Sequence, residues 1–422
     1  MIIRGLVLGL MSSSEFFDEI TNFSLFGKST ELIPYEWEFD GKSGITFKAI
    51  NEYWTSGQRK ANALHEISYR ACFKPQLAEF FIKRLSEVDD VVYDPFMGRG
   101  TTLLEAFLLE RIPKGNDINP LSKALISPRL NPPTIDAIQD RLEQIDLSES
   151  VEVYDDLKHF FHKDTLREII SLKEYFLYRE RNGILDPVDM WIRMVAINRL
   201  TGHSNGFFSV YSLPPNQAVS AKRQAKINIQ RNQIPDYRPI KPRILKKSKS
   251  LLRNWRWQFS KSFDIDSMIF VKESSNVSGI SDDSVQLVVT SPPFLDVIDY
   301  KSDNWLRCWF IGIDSSEIEI SQIKSIEEWE KMVIDSLKDI HRILKPNGYV
   351  AFEVGEVRGG KVLLEENVLK CGVIAGLQPV LIMINDQKFT KTANTWGVNN
   401  VSKGTNTNRI VVFTKNQETT QD

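Results

Sequence analysis

The fold is decided by residues 91–112, "VVYDPFMGRGTTLLEAFLLERI". The apolar run that opens this stretch predicts a short buried strand, and the apolar spacing at its end predicts a helix. Gly98 and Gly100 lie between the two, in a turn. The sequence "KGNDINP" at residues 114–120 predicts the end of a second strand. A strand, a glycine turn, a helix and a strand form a βαβ unit, which predicts a parallel sheet.

The same alternation occurs on both sides of a long interruption. A helix is predicted at residues 75–88, and strands and helices resume near Met268. The last apolar runs, "QPVLIMIND" and "RIVVFTK", predict a closing antiparallel pair. We therefore predict an α/β fold with a doubly wound, mostly parallel, Rossmann-like sheet of roughly seven strands and a large, mainly helical insertion. The predicted parts are an N-terminal extension (1–50), a sheet domain in two segments (51–125 and 265–416), the insertion (126–264) and a disordered tail (417–422).

Composition restricts the classes of protein. The 422 residues are 42% hydrophobic, which supports a large core, and the formal net charge of −2 carries no signal for nucleic acid over the whole chain. Three cysteines without paired spacing and five histidines give no zinc pattern, so we expect no metal and a reducing compartment. No window approaches the roughly 18 apolar residues of a membrane span. The apolar start lacks a signal-peptide pattern, Met11 is an alternative to Met1 as the first residue, and we predict a cytoplasmic location.

The glycine turn is a candidate ligand site. Glycines let the backbone approach a ligand closely, and the helix that follows offers unpaired N–H groups. Asp94, at the tip of the first strand, suits a cationic ligand such as the amino-acid end of S-adenosylmethionine, and Asp117 is placed to accept from ribose hydroxyls. A third glycine and a G-x-x-x-x-G-K-[ST] pattern are both absent, which disfavours a nucleotide phosphate loop. The alternative is a structural turn in which Asp94 caps the helix.

A second motif, "TSPPF" at residues 290–294, follows a predicted buried strand. Proline fixes φ near about −65° and removes a donor, so Pro292 and Pro293 predict a stiff extended tip whose carbonyls are available to a ligand. The alternative is a proline turn that ends the strand, with Phe294 in the core.

Together, "DPFMGRGTT", "GNDINP" and "TSPPF" resemble the amino-group DNA methyltransferases that use S-adenosylmethionine, in particular the N4-cytosine type with its Ser-Pro-Pro-Tyr/Phe tetrad. The resemblance implies that the two-segment domain is catalytic and that the insertion recognises the target. Departures are Arg99, where the family more often has Ser, Phe294 in place of Tyr, and an irregular third acidic motif. The implied catalytic residues are Ser291, Pro292, Pro293 and Phe294. The implied cofactor-binding residues are Phe73, Lys74, Asp94, Pro95, Phe96, Gly98, Gly100, Thr101, Asp117, Asn119, Glu273 and Ser274.

The tetrad suits methyl transfer to an exocyclic amine, whose lone pair is delocalised into the base. The side-chain oxygen of Ser291 and the carbonyl of Pro292 would accept the two N–H bonds and localise that lone pair. Phe294 would stack on a target base that has left the duplex. The absence of a Pro-Cys nucleophile argues against C5-cytosine chemistry. Near the later strand ends, Asp296, Asp299 and Tyr300 are predicted to line the base pocket, with a helix cap as the alternative for Asp296 and Asp299. Glu353 and Glu356 are predicted to be solvated.

The insertion carries the local signal for nucleic acid. Residues 221–261 contain thirteen Lys and Arg but one acid, Asp236, which predicts phosphate contacts. Trp255 and Trp257 are predicted either to wedge against the duplex or, with more support, to pack in a core. Base contacts by Asn216 or Gln217 to adenine, and by Arg199 or Arg223 to guanine, are further candidates. The predicted DNA-binding residues are Arg223, Lys226, Arg243, Lys246, Lys247, Lys249, Arg253 and Arg256.

The expected partner is double-stranded DNA, with a cognate restriction endonuclease as a further candidate in a restriction-modification pair. Two enzymes with the same fold stay open as alternatives, an N6-adenine DNA methyltransferase and an RNA guanine-N2 methyltransferase. A non-catalytic DNA-binding subunit is the alternative from another class. The polar cluster of Trp396, Asn399 and Asn406 to Arg409 is predicted either to contact base or phosphate or to form a self-bonded turn.

Overall fold

The computed structural model describes residues 10–25, 27–54, 61–70, 72–148, 155–212, 218–255, 264–275, 277–293, 300–318, 323, 325–357, 362–386 and 407–416. The strands are β1 (Glu31–Phe39), β2 (Lys42–Asn51), β3 (Val91–Asp94), β4 (Ile112–Asn116), β5 (Ile269–Phe270), β6 (Val285–Thr290), β7 (Leu344–Val354), β8 (Glu356–Val357), β9 (Val362–Leu363), β10 (Gln378–Asp386) and β11 (Thr407–Thr414).

The helices lie between and beside these strands. They are α1 (Ser13–Thr21), α2 (Pro75–Leu85), α3 (Thr101–Leu108), α4 (Pro120–Leu130), α5 (Ile135–Gln144), α6 (Lys163–Arg181), α7 (Pro187–Ile197), α8 (Ala221–Gln230), α9 (Ile240–Leu251), α10 (Tyr300–Phe310), α11 (Ile326–Ile343) and α12 (Leu364–Ile374). Short 3₁₀ turns occupy Ala63–His65, Asp155–His159 and Ile265–Ser267.

One large sheet organises the molecule, with strand order β1-β2-β10-β11-β7-β6-β3-β4-β5. Five neighbouring strands, β7, β6, β3, β4 and β5, run parallel. The closing pair is antiparallel as predicted, since β11 runs against both β7 and β10. The predicted α/β, doubly wound, Rossmann-like fold is therefore confirmed.

The predicted strand number was wrong, because the sheet has nine strands among the described residues instead of seven. The two additional strands form a hairpin from the segment predicted as an extension, and β2 pairs in parallel with β10. Strand β1, "ELIPYEWEF", lies at the sheet edge and alternates between exposed and half-buried positions at its end. Its glutamates and its proline weaken the apolar pattern, and both residue types are usual on an edge strand.

Strand β6 shows how the core is divided by the sheet. Leu287 and Val289 pack in the cluster on one face, and Val285 and Val288 pack in the cluster on the other. All six of its residues are buried, which is typical of a parallel strand covered on both sides.

The helices of the insertion share a third core with the first βαβ unit. This cluster joins Leu103 of α3 to Trp191 of α7 and Leu306 of α10. Trp255 is buried and stacks on Phe107, with ring centroids 5.8 Å apart and planes 15° from parallel, so it packs in the core; Trp257 lies outside the described residues. Within the described part of the chain, no helix combines the length and apolarity needed to cross a membrane.

Candidate active site

The glycine turn after β3 has a conformation that only glycine adopts easily. Gly98 has φ +50° and Gly100 has φ +76°, both in the left-handed region. A Cβ on Gly100 would also lie 2.6 Å from Cγ1 of Ile126. The N–H of Gly98 donates to Oδ2 of Asp117 at 2.8 Å, and the N–H of Asn119 donates to Oδ1 of the same carboxylate at 2.8 Å. Asp117 therefore fastens the turn to the start of α4.

Asp94 lies beneath the turn, where it joins two strands. Its carboxylate accepts from the hydroxyl of Thr290 at 2.6 Å and from the N–H of Phe96 at 3.1 Å. Burial raises the pKa of Asp94 to about 7, although these hydrogen bonds favour the charged form. Because Thr290 ends β6 and precedes Ser291, this contact brings the second motif beside the first.

A cavity of about 580 Å³ lies next to the two motifs, within the size range of small-molecule sites of about 300–1,000 Å³. The predicted residues that line it are Phe73, Pro95, Phe96, Gly98, Thr101, Asp117, Asn119, Glu273, Ser274, Ser291 and Pro293. Four of the predicted residues that the structure describes do not line it. Asp94 lies below the turn, Gly100 packs on Ile126, Lys74 is an exposed residue before α2, and Pro292 is buried.

The cavity wall includes one face of α11 that the sequence analysis did not assign to the site. Glu328, Lys331, Met332 and Asp335 line the cavity. Their spacing of three and four residues places them on one side of a helix, and this spacing was a signal in the sequence. Next to them, the hydroxyls of Ser274 and Ser336 lie 2.6 Å apart, so α11 also contacts the irregular acidic motif.

Ser291 has a buried acid beside it. Its hydroxyl hydrogen-bonds to the carboxylate of Glu353, which is 5% exposed and also accepts from Nδ2 of Asn408 at 3.0 Å. Burial raises the pKa of Glu353, and both hydrogen bonds act against that rise. The prediction that Glu353 is solvated was wrong. The signal lay in the strand register, since β6 and β7 run parallel with Thr290 beside Phe352.

Helix α11 contacts the tetrad at Pro293. The carbonyl of Pro293 accepts from Nε1 of Trp329 at 3.0 Å. Among the described residues, no donor reaches the carbonyl of Pro292. Phe294, Asp296, Asp299, Trp396, Asn399 and Asn406 lie outside the described residues, as do the side chains of Tyr300 and Glu356.

Arg99, where the resembled family more often has Ser, has a structural role in this protein. Its guanidinium donates to the carbonyls of His65 at 3.3 Å, Ile67 at 3.0 Å and Phe73 at 3.5 Å. These carbonyls belong to the segment that presents Tyr69, Cys72 and Phe73 to the cavity. Arg99 therefore ties one cavity wall to the glycine turn.

Two observations show that the lining residues fit a nucleoside-like cofactor with polar ends. The Nδ2 atom of Asn119 is buried, has no partner among the described residues, and belongs to a residue that lines the cavity. The carboxylate of Asp117 has two backbone donors, which leaves acceptor sites for hydroxyl groups, because a carboxylate offers about four.

The basic residues predicted to bind DNA lie mainly on the insertion surface. Arg223 and Lys226 of α8 and Lys246 and Lys249 of α9 are exposed. Arg243 is partly committed to structure, since it donates to the carbonyls of Asn205 and Pro239. Lys247 and Arg253 both pair with Glu66, and Arg256 lies outside the described residues.

A sheet with five parallel central strands and a cavity at the ends of β3, β4 and β6 defines a Rossmann-like fold with a ligand site at its usual position. Residues 30–126 match a family model described as DNA methylase. Type II methyltransferase M.MjaII of Methanocaldococcus jannaschii is 33% identical over 112 residues, which cover 25% of this chain and 19% of that protein. Type II methyltransferase M.BsoBI of Geobacillus stearothermophilus is 22% identical over 345 residues, which cover 73% of this chain and 65% of that protein.

Among solved structures, the rRNA methyltransferase aviRa from Streptomyces viridochromogenes aligns with a TM-score of 0.29 and 11% identity, over 83% of this chain and 89% of that one. The chain spans less than two thirds of the length of the two curated relatives. The family match and these relatives confirm the predicted resemblance to the amino-group methyltransferases, whose methyl donor is S-adenosylmethionine.

Proposed function

We propose that this protein is a DNA methyltransferase that transfers a methyl group from S-adenosylmethionine to the exocyclic N4 amine of cytosine in double-stranded DNA. The observation that carries the proposal is the placement of Ser291. It lines the same cavity as Asp117 and Asn119, while its hydroxyl is bonded to the buried Glu353. An amine acceptor and a nucleoside-binding acid therefore face one space. The helical insertion, residues 126–264, is proposed as the target-recognition region.

The proposed mechanism assigns each step to a residue of the chain. The bound cofactor supplies an electrophilic methyl group on a sulfonium. Ser291, whose hydrogen is directed to Glu353, would accept one N–H of the target amine. The carbonyl of Pro292, to which no described residue donates, would accept the other. Together they turn the nitrogen lone pair toward the methyl carbon. Orientation of this kind can supply roughly 7–11 kcal/mol in well-aligned intramolecular reactions.

Proton removal completes the transfer. Transfer of the methyl group from the sulfonium, which the cofactor would supply, would leave the target nitrogen positively charged, so the nitrogen has to lose one hydrogen. Ser291 takes this proton while it passes its own hydrogen to Glu353. A carboxylate with a raised pKa is the better proton acceptor, and burial raises the pKa of Glu353.

The choice of cytosine N4 over adenine N6 is supported by Ser291 at the first tetrad position, where Asp or Asn is more usual for adenine. Adenine presents the same amine geometry to the tetrad, so the methylated base has to be identified by experiment. A cognate endonuclease in a restriction-modification pair is proposed on the printed names of the relatives, which are Type II methyltransferases.

The test is to incubate the purified chain with methyl-labelled S-adenosylmethionine and bacterial genomic DNA, digest to nucleosides, and separate them by chromatography and mass. We expect label in N4-methyldeoxycytidine, and labelling about 10²–10⁴-fold slower with Ser291→Ala. Label in N6-methyldeoxyadenosine would contradict the cytosine assignment only. The proposal would be overturned if no nucleoside of the DNA carried label, whether the label went to RNA or was not transferred at all.

A further inference from the structure

A group of charged residues lies between the cofactor cavity and the basic insertion. Glu66, on the segment held by Arg99, contacts Lys247 Nζ at 3.1 Å and also pairs with Arg253. Asp303 of α10 pairs with Arg70 at 2.7 Å. With Arg199 and Arg307, these described side chains form what we call the junction cluster, which has five cations and two acids. Lys247 and Arg307 are mostly buried, and buried cations are costly unless anions are close to them.

Within the junction cluster, Arg199 has a guanidinium that is held in place and can bind such an anion. Its guanidinium carbon lies 3.9 Å above the ring of Phe207, and its Nε donates to the carbonyl of Asn198 at 2.8 Å. Among the described residues, no acceptor is bonded to its Nη1 or Nη2. Stacking and the Nε contact fix the plane of the guanidinium, so its two Nη groups remain as a pair of donors in one plane.

The surroundings of Arg199 are positive. Burial is the main cause that lowers the pKa of Arg199, to about 10, and the neighbouring Arg307 lowers it further, whereas Glu66 acts in the opposite direction. The pKa of Lys247 is also lowered. Burial is the main cause, and the charge of Arg199 adds to it. Among the described residues, Glu66 is the acid that acts on the pKa of Arg199, and it already holds Lys247 and Arg253.

The junction cluster lies on the route from the DNA-binding surface to the cavity. Arg307 is buried and interacts electrostatically with Tyr69 and Cys72, which line the cavity. On the other side, Lys246 and Lys249 are exposed on the same helix as Lys247. A strand that binds the insertion and delivers a base to Ser291 has to place backbone phosphates near this cluster.

We propose that Arg199, supported by Lys247, binds a phosphodiester group of the DNA strand that carries the extruded target base. This inference rests on the proposed function and assigns the phosphate site that holds the strand at the mouth of the cavity. Two Nη donors on a fixed plane match two phosphate oxygens. The phosphate supplies the negative charge that the junction cluster lacks.

The test uses the full chain and a fluorescent duplex that contains the methylation site mapped for the wild-type protein. Binding is measured by anisotropy at several salt concentrations, and the variants are Arg199→Gln, Arg199→Lys and the control Arg181→Gln. Arg181 is also in the insertion, but it is 72% exposed on α6. Duplexes with one uncharged methylphosphonate at a time, near the target base, identify the phosphate. Far-ultraviolet circular dichroism confirms that each variant is folded.

We expect Arg199→Gln to weaken binding about tenfold and to reduce the slope of log K against log salt by about one, as for the loss of one phosphate contact. One methylphosphonate position should cause the same loss in the wild type and no further loss in Arg199→Gln. Arg199→Lys should keep the salt slope, and Arg181→Gln should match the wild type.

Two results would overturn the inference while the wild type still methylates DNA. The first is an unchanged salt slope in Arg199→Gln. The second is a loss that depends on a particular base pair instead of a phosphate, which would make Arg199 a base-reading residue. If the wild type neither binds nor methylates DNA, the proposed function fails together with this inference, so the two failures are distinguishable.

Discussion

The hydroxyl of Ser291 hydrogen-bonds to the carboxylate of Glu353, and this contact joins the ends of the parallel strands β6 and β7. Glu353 is held from the other side by Asn408 of β11, at 3.0 Å. Three neighbouring strands therefore fix where the Ser291 oxygen points. Because its hydrogen is directed to the acid, the lone pairs of that oxygen are available to an amine.

Replacing Ser291 by alanine should slow methyl transfer without loss of the cofactor. The substitution removes an acceptor for the amine and the proton path to Glu353, and general acid–base contributions of this kind are about 10²–10⁴-fold in rate. Asp117 and Asn119, which we propose as cofactor contacts, are not altered. The measurements are single-turnover methylation at saturating DNA and cofactor affinity by calorimetry. A variant with the wild-type rate would contradict the role of Ser291.

Replacing Glu353 by glutamine should change the pH dependence of the reaction. Glu353 has to be ionised to accept a proton, and burial raises its pKa, so the wild-type rate should fall as the pH decreases through that raised value. Glutamine keeps the size and an acceptor but cannot take a proton. We expect a lower rate whose profile lacks this acidic limb. A profile of unchanged shape would show that Glu353 only positions Ser291.

The sheet and the two motifs could be predicted because their signals are local. The glycine turn and the prolines have conformational requirements that a few neighbouring residues reveal. The parallel order of the strands then places Asp94 and Ser291 at one edge, and the contact between Asp94 and Thr290 agrees with this expectation.

Two features of the structure could not be predicted from the local sequence pattern. The buried state of Glu353 depends on strand register and on Asn408, which lies far away in the sequence. The strand identity of β1 is weak in sequence, since an edge strand tolerates the charges and the proline that hide its pattern. In both cases the decisive partner is brought near only by the completed sheet.

Arg99→Gln should weaken cofactor binding although Arg99 is not on the cavity wall. The variant loses the donors that hold His65, Ile67 and Phe73, so the wall with Tyr69 and Phe73 is less well fixed. We expect a roughly tenfold loss of cofactor affinity, equivalent to about 1.4 kcal/mol, with the rate at saturating cofactor nearly unchanged. Arg84→Gln is the matched control, because Arg84 pairs with Glu19 outside the site. Equal affinities of the variant and the wild type would exclude this role.

Gly100→Ala should destabilise the protein more than Gly183→Ala does. Both glycines have left-handed φ values, +76° and +67°, so alanine meets the same backbone cost of about 1–2 kcal/mol at either position. At Gly100 the new Cβ also meets Ile126 at 2.6 Å, whereas at Gly183 nothing lies within 4 Å. Overpacking adds about 1–3 kcal/mol at Gly100, and urea unfolding of both variants measures the difference. Equal losses would show that Ile126 moves away without cost.

Asp94→Asn should make the protein relatively more stable at alkaline pH. Burial raises the native pKa of Asp94 to about 7, above its unfolded value of about 3.9, so the native state binds the proton more tightly. The stability that this carboxyl contributes is complete below the unfolded pKa and is lost as the pH rises to about 7. Asparagine has no such loss, and its Oδ1 can still accept from Thr290 and from the N–H of Phe96.

The measurement for Asp94→Asn is urea unfolding of both proteins at about pH 5 and about pH 8. Other titrating groups cancel in the difference between the two proteins. That difference should move in favour of the variant by roughly 2–3 kcal/mol between the two pH values, at about 1.4 kcal/mol for each pKa unit crossed. The same difference at both pH values would mean that Asp94 is ionised throughout. The carboxylate beneath the glycine turn would then be a fixed charge, stabilised by Thr290 and the backbone in spite of its burial.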